Sequence, residues 1–238
     1  MSYQDVFATA FPYIVGIGVI LSILAKVYIS RVSTHALGQR EKLGWYGEKA
    51  VRQMLDYYKI HDVTIQEQDG IFNDRYIPGT KTMLLCRVSS QSPSLLGLAT
   101  ALHQAGIAVQ HHRAKIMMAG KAIALFFSRM AALLATIAIP FMLFFPIVLY
   151  IGLIIFTIVL GWGILCIHFE QDACQYANIY IQHSKQLTGS QIKETRRIFR
   201  AQALSCLATT FIPLNIIGSL LVGNKRFYAA GTEPKTDH

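Results

Sequence analysis

Forty consecutive residues, 130 to 169, contain no Asp, Glu, Lys or Arg, and no other feature limits the possible folds so tightly: "MAALLATIAIPFMLFFPIVLYIGLIIFTIVLGWGILCIHF". A single straight helix of that length would reach roughly 60 Å, about twice the thickness of a bilayer's hydrocarbon core. The run is therefore expected to fold back on itself. Pro140 and Pro146 each lack a backbone donor, which places the turn near Pro146 and predicts spans near 124 to 145 and 147 to 167. Residues 11 to 30 and 203 to 222 are each long and apolar enough for a further span. The expectation is a mainly α membrane protein with about four transmembrane helices. A chain that is 53% hydrophobic and only 15% charged agrees with it.

No Lys or Arg precedes Lys26 and no small-residue cleavage site follows the first apolar segment, so residues 1 to 30 are expected to be a retained anchor. Basic residues set the expected orientation. Arg31, Arg40, Lys42, Lys49 and Arg52 follow the first span, Arg113, Lys115, Lys121 and Arg129 precede the second, and Lys185, Lys193, Arg196, Arg197 and Arg200 separate the third from the fourth. An integral protein of a bacterial-type inner membrane is predicted, with both termini outside and the polar parts on the cytoplasmic side. The net charge of +9 is spread over these flanking segments, where it contacts anionic lipid headgroups and does not form a nucleic-acid surface. The spans hold no array of ionisable residues, which speaks against a transporter or channel. Cys86, Cys166, Cys174 and Cys206 form no C-x-x-C pair, so buried reduced thiols are expected, with neither a disulfide framework nor a thiolate zinc site.

Residues 31 to 122 are the one sizeable polar segment, large enough for a small folded unit but not for a large core of its own. "GEKAVRQMLDYYKI" sets Ala50, Val51, Met54, Leu55 and Tyr58 at helical spacing. "DVTIQEQ" and "KTMLLCRV" read as two strands joined by the turn-rich "DGIFNDRYIPGT". A long apolar helix should follow, with Ser92 as its N-cap and Pro93 at its first position.

That last helix carries "ALHQAGIAVQHHR". A zinc protease uses H-E-x-x-H, two imidazoles one turn apart on a helical face with a carboxylate that takes a proton from metal-bound water. The letters here are His103, Gln104, Ala105, Gly106 and Ile107. Taken alone, a single histidine in an apolar helix is more often a hydrogen-bonded structural residue than a ligand. His111 lies eight positions beyond His103, about 80° around the helix and roughly 12 Å along it, so the two cannot share one tetrahedral ion. His112 is no better placed, and His168 is only two positions from Glu170, on a different side of a helix.

Three motifs in order, "DRYIPGTKTMLL", "ALHQAGIAVQ" and "HFEQDACQYA", make the chain resemble the YugP-like membrane zinc metallopeptidases over nearly its whole length. In that family the corresponding pieces are a D-H-Y-D-P loop, a K-T-x-x-L strand, a helix bearing H-E-x-G-H-A-I-Q, a transmembrane hairpin and an E-F-D-A motif. The resemblance implies a small α+β zincin-like domain over 31–122. Around it would lie the anchor 1–30, a transmembrane hairpin 123–168, a cytoplasmic helical segment 169–202 with the E-x-D-A motif, a fourth transmembrane helix 203–224 and a polar tail 225–238.

Within the resemblance, His103 matches the first zinc ligand and Glu170 a later glutamate ligand, Asp172 is retained from the E-x-D-A motif, and Asp74, Tyr76 and Pro78 are retained from the loop. Gln104 occupies the general-base position, and Gln cannot accept a proton from water. Ile107 replaces the second imidazole and donates nothing to a metal, while Arg75 and Ile77 replace the loop's histidine and aspartate. One His and one Glu fall short of the three protein ligands of usual catalytic zinc sites. The expectation is a proteolytically inactive relative without a cofactor, serving as a structural or accessory subunit. Its expected partners are membrane lipids and other membrane proteins, an active relative among the candidates. The competing reading is an active membrane zinc metallopeptidase with an altered ligand set, for which zinc would be the cofactor.

Overall fold

The computed structural model describes residues 20, 21, 23–36, 44–69, 74–114, 120, 123, 126 and 146–210. Helix α1 covers residues 20–36, apart from position 22. Helix α2 is Gly47–Tyr57, strands β1, β2 and β3 are Thr64–Gln68, Arg75–Ile77 and Thr82–Cys86, and α3 is the single turn Arg87–Ser90. Helices α4, Leu95–Arg113, α5, Pro146–Ser184, and α6, Gly189–Thr210, complete the order.

Helix α2 forms where its spacing predicts, with Gly47, Ala50, Val51, Met54 and Leu55 as its buried face, while the expected Tyr58 is its half-buried C-cap. The two expected strands are β1 and β3, but they pair in parallel, and a third strand lies within the turn-rich connection. Strand β2 runs antiparallel along the far side of β3, giving the order β1-β3-β2. Helix α4 begins two residues later than expected. Its N-cap is Ser94, whose side chain accepts a hydrogen bond from the Gly97 amide at 3.0 Å. Pro93, which has no amide proton, sits just outside.

Thirteen residues of α4 are buried, on all sides, from Leu95 to Gln110. A helix apolar all round must be surrounded. It is packed by α2, α5, α6 and β2. One core results, running from Ala36 and Trp45 through Met54, Met83, Leu98, Leu102 and Val109 to Ala177, Ile181, Ile198 and Phe199. Helices α5 and α6 are joined by a capping box. Gln191 Oε1 accepts from the Thr188 amide at 2.9 Å, and Thr188 Oγ1 accepts from the Gln191 amide at 3.4 Å.

The four-span architecture is corrected. Among the described residues no helix is long and apolar enough to cross a membrane. The described elements form an α+β fold of six helices and one three-stranded sheet. The expected inner-membrane location, with termini outside and a cytoplasmic domain, is withdrawn with the spans. The physical reason is continuity. The helix that holds 147 to 167 does not stop at a water boundary but runs on to Ser184, through Glu170 and Asp172, and its later half packs into the core. The segment expected to open a span at 203 is the end of α6, whose earlier turns carry Lys193, Glu194, Arg196, Arg197 and Arg200. Most of the expected span 124 to 145, the outer parts of spans 11 to 30 and 203 to 222, and the tail 225–238 lie outside the described residues.

Candidate functional site

Helices α4 and α5 cross where Gly106 meets Ala173. A Cβ on Gly106 would lie 2.1 Å from the Ala173 carbonyl oxygen, so only a glycine permits this approach. The crossing fixes what faces what. His103 lies three residues before Gly106, and Glu170 three before Ala173, so both stand one turn from the contact.

His103 is buried, and its Nε2 is 2.9 Å from Glu170 Oε2. Its other ring nitrogen, Nδ1, is 3.3 Å from Cys174 Sγ. Glu170 and Cys174 are four positions apart on α5 and share a face. The thiol also reaches the Phe199 carbonyl on α6, at 3.5 Å. One imidazole thus ties α4 to α5, and its sulfur partner ties α5 to α6. Burial by itself pulls the His103 pKa down, but the hydrogen bonds with Cys174 and Glu170 push harder in the other direction and hold it well above the usual imidazole range.

Gln104 is turned toward the sheet. Its Oε1 accepts a hydrogen bond from the Tyr76 amide of β2 at 3.0 Å. Ile107, half-buried, packs against the core as an ordinary apolar side chain. Tyr76 is buried, and its hydroxyl lies 2.9 Å from His111 Nδ1. Burial, reinforced by the Asp62 carboxylate, pushes this phenol up to about 12. His111 is therefore part of the contact between α4 and β2.

Asp74 lies away from His103. Its two carboxylate oxygens accept from the Cys86 amide and from Ser89 Oγ, each at 2.6 Å, fastening the loop to the start of α3. Arg75 is exposed, Ile77 half-buried, and Pro78 opens the turn that leads to Lys81. Asp172 accepts from Gln110 Nε2 at 3.0 Å, and the same amide reaches the Phe169 carbonyl at 3.1 Å. His112 and His168 are exposed.

The structure therefore joins His103 with Glu170, joins Gln104 with Tyr76, and leaves Asp74 and Asp172 as separate fastenings. Two participants escape a sequence reading. Cys174 carries a signal, its position one turn after Glu170, but sulfur alone does not announce a partner 71 residues away. Gln110 closes the helix motif two turns beyond His103, but nothing in that pattern marks it as buried or as a partner of Asp172. Cys86, Cys166 and Cys174 are buried and in no disulfide, as expected. No match was found among curated proteins or among solved structures. One family model, described as "Putative neutral zinc metallopeptidase", matches residues 11–222.

Proposed function

The chain belongs to the neutral zinc metallopeptidase family, and from that membership we propose a member that has given up hydrolysis and serves as an accessory or structural subunit for another protein. The observation that carries the proposal is the state of the catalytic positions. The His103 ring is held edge to edge between Glu170 and Cys174, and the Gln104 amide is spent on the backbone of β2.

These residues do not fit a catalytic zinc ion. Such an ion needs three protein ligands converging on one point. Glu170 and Cys174 approach opposite nitrogens of one ring, so only one of them can share an ion with it. Ile107, where a third donor would stand, presents carbon. Among the described residues no three His, Cys, Asp or Glu side chains are grouped so as to hold a metal. Gln104 has the shape of a general base but cannot take a proton from water. The protein's own residues therefore supply binding and orientation: α4 is locked to the sheet edge and to α5, giving a rigid unit for another protein to dock on. An active relative is a natural candidate for that partner.

The test is metal analysis of the purified, unmodified chain together with a peptide-cleavage assay. Zinc far below one ion per chain, and no chelator-sensitive cleavage, are expected. Near-stoichiometric zinc with cleavage abolished by chelator would overturn the proposal in favour of an active peptidase with an altered ligand set. The double variant Gln104→Glu with Ile107→His restores a carboxylate and an imidazole one turn from His103. It is expected to take up about one zinc per chain. Crosslinking in the native setting, read by mass spectrometry, identifies the partner.

A further inference from the structure

A cavity of about 130 Å³ lies where the end of α4 meets residues 60 to 63 and the turn 78 to 81 before β3. Its lining does not include His103, Gln104 or Glu170. Ile60, Val63 and Ala108 give it an apolar wall, and Tyr76 and His111, joined at 2.9 Å, add polar groups. Lys81 and Asp62 supply opposite charges in direct contact. The Lys81 hydrogen bond, before any other influence, holds the Asp62 carboxyl below the usual carboxylate range, so both charges are present at neutral pH. Lys81 is held there against its backbone preference. Its φ of 50° lies in the left-handed region that L side chains avoid, whereas Gly79 of the same turn does not take up that conformation. Residues kept in such regions gather at ligand-binding places. Both side chains of the pair are 45% exposed, and an ion pair so solvated adds little to the fold. Stability does not account for this lysine.

We propose that this cavity binds a small free α-amino acid, its carboxylate against Lys81 and its ammonium against Asp62. The nitrogen and the carboxyl carbon of such a molecule are about 2.5 Å apart, so its two charges are as close together as those of the protein's own pair. Laid antiparallel to that pair, the ligand completes a square of alternating charges. Each then faces two of opposite sign. An ammonium has three donors, of which Asp62 takes one, and a carboxylate accepts at both oxygens, so the ligand is received without breaking the pair. A simple anion would be repelled by Asp62 and a simple cation by Lys81. The cavity sets the size. One of roughly 150 Å³ takes benzene, and alanine has as many heavy atoms. The wall of Ile60, Val63 and Ala108 receives its methyl group. This site goes beyond the accessory role and stands apart from His103, so the zinc content of the chain bears on that role and not on this cavity.

The experiment titrates the full chain with L-alanine by isothermal calorimetry. Saturable binding at one site per chain is expected. Acetate and ethylamine, which each keep one of the two charges, are expected to bind at least about tenfold more weakly, as is β-alanine, whose charges stand further apart. L-phenylalanine is too large to enter. Glycine adopts the left-handed backbone freely, so Lys81→Gly is expected to keep or raise the midpoint of urea unfolding while weakening alanine binding at least about tenfold. Asp62→Asn, on an exposed side chain, is expected to weaken it to a similar degree and provides the test if Lys81→Gly does not fold. No saturable binding of L-alanine to the unmodified chain would sink the proposal. So would acetate binding as tightly as alanine, which would make this a plain anion site, or a folded Lys81→Gly or Asp62→Asn protein that binds alanine at the unmodified affinity.

Discussion

A single imidazole illustrates how much of this site depends on context. The histidine at 103, its glutamine neighbour and the isoleucine one turn on were all legible in the sequence, because helical spacing converts a string of letters into a face. The meeting of His103 with Glu170 follows from the family motifs. What periodicity cannot supply is the sulfur, since a cross-helix contact depends on how two helices are packed and not on either one. The burial of the pair makes its removal costly. His103→Ala leaves a shielded carboxylate without its counter-charge, and a loss of about 3–5 kcal/mol is expected in urea unfolding. Glu170→Gln retains an acceptor for Nε2–H and should cost only about 1 kcal/mol. Equal losses from the two substitutions would show that the charge on Glu170 is the whole of its contribution.

Among the elements, those with long repeats were the readable ones. Helix α2 has five buried residues at helical spacing. Strands β1 and β3 also stood out, but β2 has three residues and α3 four, too few for any period to show. The helix-start signal misled by two positions because both Ser92 and Ser94 offer a capping oxygen. Ser94 wins, standing three residues before the free amide of Gly97. The crossing of α4 on α5 yields its own prediction. Gly106→Ala places a methyl group against the Ala173 carbonyl oxygen, where 2.1 Å is far inside contact distance, so the helices must separate. A loss of about 1–3 kcal/mol is expected from this overpacking. If urea unfolding of that variant matched the unmodified chain, the crossing would not be what holds the two helices at this distance.

At the scale of the molecule, the long charge-free run dominated the sequence reading, and there it failed. Apolar length measures the need for cover but not what provides it, and continuity of α5 into its polar half was invisible to a count of charges. The size of the polar segment was the better guide. A segment of about ninety residues is enough for a small folded unit but not for a large core, and the core it shares includes residues of α5 and α6. Its rim is aromatic. Arg113 lies over the rings of both Tyr58 and Tyr176, at 5.1 and 5.3 Å, and Tyr57 meets Tyr180 at 5.7 Å. Burial first, then neighbouring charges, raises Tyr58, Tyr76 and Tyr180 from 10.0 to about 12. Because the fold favours the neutral phenol, this stabilisation is whole below pH about 10 and drains away as pH climbs toward about 12. Tyrosinate absorbance should therefore lag behind that of free tyrosine and rise together with unfolding. A titration with no late fraction would contradict that burial. A last consequence lies at the border of the sheet. Residues of an antiparallel strand alternate in the side to which they turn their backbone groups, and the Tyr76 amide in the middle of β2 bonds a side chain rather than β3. That side chain is Gln104. An extended guest chain seeking to lengthen the sheet on this side by backbone pairing would find its anchoring donor taken, so any docking here must proceed through side chains rather than by strand addition.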